Sequence, residues 1–320
     1  MKIAGKFTLG AIVLIVVAEA SLRLIWGFGN PALLQKDPQL GYLFQANQNV
    51  RRFGRTIKIN GFHQRSDEVA PLPDSKTFRI MFVGDSVTFG GAPIDQKDIF
   101  SELVKTRLQA KERVEILNAS AGGWGIGNEE AYLETYHTFG SNLVVLEIGS
   151  HDLLQEKNGS QDIGVDPGQP DHRPISAITE LVQRYVEPRL MATTNPSPAP
   201  DDTINASEHF AQNMKWFAAE LDMARKANAK VAVLHMPDRD EVVLPPGGYE
   251  TKYDSWREQF LKLCDEKEVP VLNLVATWKT DPNALQYFRD EKHLSAAGNK
   301  SVADHFIPFF ERMGLLNSSK

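Results

Sequence analysis

The sequence predicts an α/β fold in which helices cover both faces of a mainly parallel sheet. From Phe78 onward, compact apolar runs alternate with amphipathic stretches, and this alternation is typical of strands buried on both faces between helices. The strands are predicted at residues 79–83, 114–117, 143–148, 230–234 and 269–272. The helices are predicted at residues 100–110, 128–139, 207–227, 253–266 and 296–312. In such open sheets the ligand crevice lies at the carboxyl ends of the strands.

Composition limits the classes of protein to which this chain can belong. Of its 320 residues, 42% are apolar and 24% are charged, so the chain can bury a substantial core and one large domain is expected. The net charge of -6 and the lack of a long basic run argue against a nucleic-acid partner. The single cysteine, Cys264, excludes an intrachain disulfide and a cysteine-only metal cluster. The histidines show no ligand spacing, so we expect neither a metal nor a cofactor.

The N-terminal residues indicate contact with a membrane. Lys2 and Lys6 precede an apolar run over residues 7–17 that continues more weakly to residue 26, which is the pattern of an export signal. Residues 1–26 are therefore predicted to form an uncleaved signal anchor or a signal peptide. We expect an anchor in the bacterial inner membrane, with the main domain in the periplasm or another extracytoplasmic space.

Alternatives to the anchor stay open. An anchor must accommodate Glu19 and Arg23, whose spacing of four residues lets them form an ion pair while Arg23 reaches toward the outer interface. A signal peptide would instead be cleaved near Ala20, and the protein would be secreted. Burial in the core of a cytosolic protein is a third alternative, which the terminal lysines disfavour.

The rest of the chain divides into two predicted parts. Residues 27–77 are turn-rich and are expected to connect the N-terminal segment to the main domain and to pack on it. Residues 78–316 form the main domain. Its strand and helix rhythm breaks at about 153–205, which we interpret as an insertion with a helical piece at 175–190 and a proline cluster at 195–200. The insertion could shape access to the crevice or be a surface loop without a role.

The first candidate for chemistry directly follows the strand at 79–83. Residues 84–90 are Gly-Asp-Ser-Val-Thr-Phe-Gly, so Ser86 lies at a strand end, where its hydroxyl would face the crevice. The first backbone N–H groups of such a turn can stabilise an oxyanion. The alternative is an ordinary helix-capping turn.

The second candidate is the pair Asp290 and His293, just before the last predicted helix. A serine nucleophile needs a base at neutral pH, histidine titrates in the right range, and an aspartate can hold the histidine in one tautomer. A separation of three residues puts both side chains on one turn, so the carboxylate can reach the ring nitrogen that faces away from the serine. This spacing alone is common by chance.

Together these two segments resemble blocks one and five of the SGNH, or GDSL-like, hydrolase family. Residues 118–125 follow a strand and are similar to the block whose glycine offers a backbone N–H to the oxyanion, a role that the resemblance gives to Gly123. Residues 147–152 follow the next strand, where the family usually has Gly-x-Asn-Asp with the asparagine amide as an oxyanion donor. The resemblance covers residues 78–312 and implies a flavodoxin-like three-layer α/β/α sandwich.

The sequence departs from the family pattern at His151, which replaces the asparagine. A neutral histidine can donate one N–H and a charged one can donate two, but the ring is bulkier than an amide and its donor titrates. Three interpretations stay open. His151 substitutes as the oxyanion donor, it fills space while Ser86 and Gly123 supply the oxyanion hole, or it marks a lost activity.

The resemblance implies chemistry through an acyl-enzyme. Ser86 attacks an ester carbonyl, and His293 takes the proton with Asp290 behind it. Backbone N–H groups of Ser86 and Gly123, with His151, hold the oxyanion. Similarity to exported bacterial members implicated in processing polysaccharides favours an esterase that acts on O-acyl, mainly acetyl, groups of an exported or cell-surface polysaccharide. A lipase, lysophospholipase or thioesterase, a polysaccharide O-acetyltransferase, and a non-catalytic polysaccharide-binding or assembly protein remain alternatives.

Overall fold

The computed structural model describes residues 2–192, 205–243 and 250–316, so the predicted proline cluster at 195–200 lies outside the described residues. The strands are β1 (Leu34–Asp37), β2 (Gly41–Phe44), β3 (Gln48–Arg52), β4 (Arg55–Ile59), β5 (Phe78–Gly84), β6 (Val114–Ser120), β7 (Leu143–Gly149), β8 (Lys230–Met236) and β9 (Val271–Asn273). The α-helices are α1 (Lys2–Ser21), α2 (Ser86–Phe89), α3 (Phe100–Gln109), α4 (Ile126–Tyr136), α5 (Ala177–Leu181), α6 (Glu187–Ala192), α7 (Ala206–Lys226), α8 (Arg239–Val243), α9 (Glu250–Glu266), α10 (Leu274–Trp278) and α11 (Ala296–Arg312).

The main sheet has five parallel strands in the order β6-β5-β7-β8-β9. The predicted fold class is therefore confirmed. The last strand differs from its prediction at 269–272, because β9 begins at Val271 and pairs with β8 over only three residues. Since β6 and β7 lie on opposite sides of β5, the chain order reverses at β5. Such a switch point opens a crevice at the carboxyl ends of β5 and β7.

Both faces of this sheet are buried. Along β5, Met81 and Val83 lie in one apolar core with Phe260 of α9. Phe82 lies in the second core with Phe306 of α11, and the centroids of these two rings are 5.2 Å apart. Successive side chains of a strand point to opposite faces, and each fully buried large apolar side chain contributes roughly 1.5–3 kcal/mol. The two cores therefore hold the strand ends in fixed positions around the crevice.

Residues 27–77 contain two antiparallel hairpins, β1–β2 and β3–β4. The second hairpin pairs Gln48–Arg52 with Arg55–Ile59. Tyr42 of the first hairpin and Ile57 of the second are buried in the same core as Met81. The hairpins thus share a core with one face of the sheet.

The N-terminal helix α1 continues through a π-helical turn at Leu22–Trp26. The segment Thr8–Trp26 has 19 residues and a hydropathy of 2.0, so it is long and apolar enough to cross a membrane, and none of it is buried in the protein. Glu19 and Arg23 form the ion pair that their spacing predicts, with 2.6 Å between Arg23 Nε and Glu19 Oε1. Both a signal sequence and an anchor fit this helix.

The helical piece predicted at 175–190 is present as α5, a π-helical turn at Val182–Val186, and α6. Pro188 gives a physical reason for the irregular turn, because proline lacks the N–H that would bond to the carbonyl of Arg184. The three pieces form one continuous helical segment.

A buried arginine links residues 27–77 to the loop after α2. The Arg65 guanidinium donates to the carbonyl oxygen of Phe89 at 2.6 Å and to those of Gly91 and Ile94 at 2.8 Å each. Its carbon Cζ also lies 4.9 Å from the centre of the Phe89 ring. Because the loop follows the predicted nucleophile turn, Arg65 supports one side of the crevice.

We expect Arg65→Met to lower the free energy of unfolding by about 3 kcal/mol or more, because three carbonyls lose their donor and each unsatisfied buried group costs about 1–3 kcal/mol. Arg65→Lys keeps the charge but cannot fork to three acceptors, so its loss should be smaller. Urea unfolding followed by circular dichroism measures both. A loss below about 1 kcal/mol for Arg65→Met would contradict this account.

Candidate active site

Ser86 lies at the carboxyl end of β5, at the first position of the short helix α2. Asp85 caps this helix, because its Oδ1 accepts the backbone N–H of Val87 at 2.6 Å. Gly84 is required before it, since a Cβ at that position would lie 2.4 Å from Thr88 Oγ1 and 2.9 Å from Glu147 Oε2. The turn therefore presents the Ser86 hydroxyl at the crevice.

Three predicted side chains form one hydrogen-bonded chain in this crevice. Ser86 Oγ lies 2.9 Å from His293 Nε2, and His293 Nδ1 lies 2.9 Å from each carboxylate oxygen of Asp290. Asp290 Oδ1 also accepts the backbone N–H of His293 at 2.8 Å. Although partial burial opposes it, these backbone and ring contacts lower the pKa of Asp290. An ionised Asp290 thus faces the ring nitrogen remote from Ser86.

A cavity of about 270 Å³ adjoins Ser86 and His293. Its lining combines apolar and cationic groups. The apolar side chains include Leu34, Phe44, Ile57 and Phe89. The cationic side chains are Arg52, Arg184 and Arg289. The cavity can therefore take a small acyl group beside a polar substituent.

The predicted oxyanion block lies beside this cavity. Gly122 lines the cavity together with Ser86. Gly123 has a φ of +84°, and a Cβ there would lie 2.8 Å from the Tyr42 hydroxyl oxygen. That hydroxyl donates to the carbonyl oxygen of Gly122 at 2.7 Å. Because the C=O and N–H of a trans peptide point in opposite directions, Tyr42 fixes the direction of the Gly123 N–H.

His151 follows β7 and is buried beside the Ser86 turn. Its Nδ1 lies 2.9 Å from Asp238 Oδ1, and its Nε2 lies 3.1 Å from Asp85 Oδ2 and 3.5 Å from Asp152 Oδ1. Each ring nitrogen of His151 therefore lies within hydrogen-bond distance of a carboxylate. In this geometry neither N–H is left for an oxyanion, which favours the interpretation that backbone N–H groups supply the hole. The donor role of His151 stays a prediction.

Charge in this cluster depends on His151. Burial opposes a charged ring, but Asp152, Asp238 and Asp85 outweigh it and hold the pKa of His151 well above its usual range. Burial alone would raise the pKa of Asp85, yet the contacts from His151 and the Val87 N–H lower it to about 2. A positively charged His151 ring thus lies beside the Asp85 carboxylate.

The same side chains include metal-ligand types. Within the described residues, donor atoms of Asp85, His151 and Asp152 all lie within 4.8 Å of one another. Asp152 Oδ1 is buried and makes no hydrogen bond in the described structure. These three residues are of the types that bind a cation. A protonated His151 ring explains its contacts with Asp85 and Asp238 without one. The expectation of no metal and no cofactor stays a prediction.

Three residues near the site were not predicted from the sequence. Asp238 follows the strand β8, so its position at a strand end was an available signal. Arg289 directly precedes Asp290. Tyr42 gave a weaker signal, because its contact with Gly122 joins residues 80 positions apart in the chain.

His151→Asn should destabilise the protein in a way that depends on pH. The pKa of His151 is raised in the folded state. The charged ring therefore adds its full contribution to the free energy of unfolding below the unfolded pKa of about 6.5, and this contribution is lost as pH rises through the folded pKa. The difference in unfolding free energy between wild type and variant should therefore shrink as pH increases. Urea unfolding from about pH 6 to about pH 10 measures it.

His63→Asn is the matched control. Burial lowers the pKa of His63, so its contribution is present above the unfolded pKa and is lost as pH falls. Asparagine also tolerates the backbone there, where φ is +66°. Its difference from wild type should therefore grow as pH rises toward about 6.5 and stay constant above that value, so this control is measured from about pH 4. A pH-independent difference for His151→Asn would contradict a charged His151.

A serine, a histidine and an aspartate in one hydrogen-bonded chain at the carboxyl edge of an α/β sheet is the arrangement of a serine hydrolase. The sequence profile of the GDSL-like Lipase/Acylhydrolase family matches residues 82–300, a range that contains Ser86, Gly123 and His293. The chain therefore belongs to this family, as the resemblance predicted, and is an ester hydrolase of the SGNH/GDSL type. A comparison with curated proteins found no significant match.

Solved structures of similar shape include several esterases and lipolytic proteins. The acetyl xylan esterase AlAXEase is 17% identical over 72% of this chain and 98% of its own, with a TM-score of 0.47. The psychrotrophic esterase EstA from Pseudoalteromonas sp. is 16% identical over 73% and 97%, with a TM-score of 0.44. A G-D-S-L family lipolytic protein from Veillonella parvula is 15% identical over 74% and 99%, with a TM-score of 0.46.

Proposed function

We propose that this enzyme removes short O-acyl groups, mainly acetyl, from an exported or cell-surface polysaccharide. Ser86 attacks the ester carbonyl while His293 takes its proton, and Asp290 stabilises the imidazolium. His293 then protonates the departing sugar oxygen, and water releases the acid from Ser86. The observation that carries the proposal is the hydrogen-bonded chain from Ser86 Oγ through His293 to Asp290.

Backbone N–H groups of Ser86 and Gly123 stabilise the oxyanion in this mechanism. His151 acts through Asp85, whose Oδ2 lies 3.2 Å from Ser86 Oγ. An Asp85 carboxylate without a charged neighbour would compete with His293 for the Ser86 proton. The Ser86 hydroxyl lies within hydrogen-bond distance of both acceptors. The positive ring of His151 makes Asp85 the weaker acceptor, so the proton passes to His293 in the reaction.

The size and charge of the cavity support a short acyl group on a polar substrate. Its volume of about 270 Å³ lies just below the ~300–1,000 Å³ of typical ligand pockets, which disfavours a long acyl chain. Within the described residues, the guanidinium of Arg289 forms no ion pair, although it lines the cavity with Ser86. It is therefore available to a hydroxyl or acidic group of a sugar.

The domain arrangement fits an exported enzyme. In this proposal residues 1–26 anchor the chain in the inner membrane, residues 27–77 connect the anchor to the enzyme, and residues 78–316 form the hydrolase domain with an insertion at 153–205. The polysaccharide would then be met outside the cytoplasm. Secretion after cleavage near Ala20 is the alternative fate.

Ser86→Ala should abolish turnover of a short-chain aryl acetate by the full-length protein. The control is Ser150→Ala, since Ser150 also follows a strand of the sheet but donates its hydroxyl to Glu241 at 2.9 Å. We expect at least a thousandfold loss of kcat for Ser86→Ala, on the order of nucleophile deletions elsewhere, and a small change for Ser150→Ala. Equal turnover by wild type and Ser86→Ala would exclude Ser86 as nucleophile.

A series of aryl esters separates the rival functions. Fastest turnover of the acetate supports the deacetylase, whereas faster turnover of octanoate or longer chains supports a lipase or thioesterase. Acyl transfer to an added oligosaccharide in preference to water supports an O-acetyltransferase. Absence of turnover across all acyl lengths, with oligosaccharide binding retained, supports a binding protein.

Tyr42→Phe should lower kcat by roughly ten- to a hundredfold while changing KM little. Without the Tyr42 hydroxyl the Gly123 N–H loses its fixed direction, which weakens stabilisation of the transition state more than binding of the substrate. Tyr132→Phe is the control, since Tyr132 is buried in the same core and also donates to a backbone carbonyl, that of Phe62, at 2.9 Å. Steady-state kinetics on the aryl acetate measure both. Equal kcat values for the two variants would refute the role of Tyr42.

A further inference from the structure

The N-terminal helix is fastened to the protein before its apolar segment ends. Glu19 of α1 accepts the backbone N–H of Ala177 at 2.8 Å and that of Ile178 at 3.0 Å, both at the start of α5. Trp26 ends the apolar segment seven residues later, which corresponds to about 10 Å along a helix. The start of α5 therefore lies beside the apolar segment and not beyond its end.

A row of exposed apolar side chains begins at this junction. Ile175 is 95% exposed, and Val182, Val186 and Leu190 follow at a spacing of four residues with exposures of 38%, 40% and 64%. A spacing of four places side chains on one face of a helix. We call these four residues the apolar row.

The end of α1 adds to the same apolar region. Leu24, Ile25 and Trp26 are 75%, 59% and 50% exposed, and the turn that contains them contacts α5. Isolated exposed apolar residues are common, but a contiguous group marks an interaction surface. Tryptophan is also the residue type that concentrates at the level of lipid headgroups.

From this continuity we propose, on the basis of the proposed anchor, that the apolar row rests in the outer interface of the membrane that holds α1. A bilayer that covers the segment up to Glu19 comes close to Ile175, because Glu19 accepts the N–H groups of Ala177 and Ile178, which follow Ile175 by two and three residues. The row would then sink a few ångströms into the headgroup and acyl boundary, as amphipathic helices do. Exposed Arg189 beside Leu190 can pair with lipid phosphates.

The position of the row also bears on the substrate. Arg184 and Tyr185 belong to the same helical segment and line the cavity that contains Ser86 and His293. The cavity thus opens next to the surface that meets the bilayer. The favoured substrate is an ester on a glycan that is still attached to the membrane, and this last step rests on the proposed function.

Site-directed fluorescence tests the seating of the row without any assay of activity. Leu190→Cys and Val186→Cys are labelled with an environment-sensitive dye in the full-length protein, reconstituted in vesicles of phosphatidylethanolamine and phosphatidylglycerol. The native Cys264 is fully buried, and burial raises the pKa of its thiol to about 12, so it reacts poorly. Lipids that carry a quencher in the acyl chain report contact with the bilayer.

Leu72→Cys is the matched control. Leu72 is 69% exposed, and it packs near Gly140, at the amino ends of the strands and opposite the Ser86 crevice. We expect several-fold stronger quenching at residues 186 and 190 than at residue 72. Equal quenching at all three positions would overturn the proposal.

A second copy of the chain is the competing occupant of the row. Labelled proteins are therefore also reconstituted at high protein density. If quenching at residues 186 and 190 is lost there and energy transfer between dyes appears, the row belongs to a dimer and the proposal is overturned. Hydrolysis of the aryl acetate, measured on the same labelled proteins, reports the proposed function separately. An active enzyme without quenching would refute only the membrane surface.

Discussion

The site depends on the hydrogen bond between Asp85 and His151. Buried carboxylates are costly unless they are paired, and the crevice places Asp85, Asp152 and Asp238 around a single ring. The charged ring compensates Asp85, which in turn caps the turn that begins with Ser86. In the proposed mechanism the same proton supports both the backbone geometry of the turn that carries Ser86 and the transfer of the serine proton to His293.

This constraint gives a physical reason for a histidine where the resemblance to the family leads us to expect an asparagine. An amide cannot carry a positive charge, so it could not compensate the neighbouring carboxylates. With its two nitrogens engaged by Asp85 and Asp238, His151 keeps neither N–H free for an oxyanion in this geometry, which favours the proposal that backbone N–H groups stabilise it. On that proposal, the replacement of the asparagine does not by itself remove the activity, because the backbone N–H groups of Ser86 and Gly123 remain.

Support for that backbone comes from the N-terminal part of the chain. Tyr42 fixes the peptide between Gly122 and Gly123, and Arg65 holds the loop that follows α2. Residues 27–77 are thus structural partners of the site. The helical segment after residue 175 contributes in the same way, since it lines the cavity on one side and exposes apolar side chains on the other.

The sequence by itself determined the α/β class and the positions of four of its five main strands, because strands buried on both faces are continuous apolar runs whatever surrounds them. The fifth, β9, lies at the edge of the sheet and begins two residues later than predicted. The sequence also determined Ser86, Asp290 and His293 as candidates, since each lies in a local pattern at a strand end or on one turn. Only the tertiary structure decided that Asp85 and Asp238 contact the two ring nitrogens of His151 and that Tyr42 orients the Gly123 N–H. The contact between His151 and Asp238 spans 87 positions, and that between Tyr42 and Gly122 spans 80. Such contacts depend on how the chain folds back on itself, and no local periodicity or spacing encodes them.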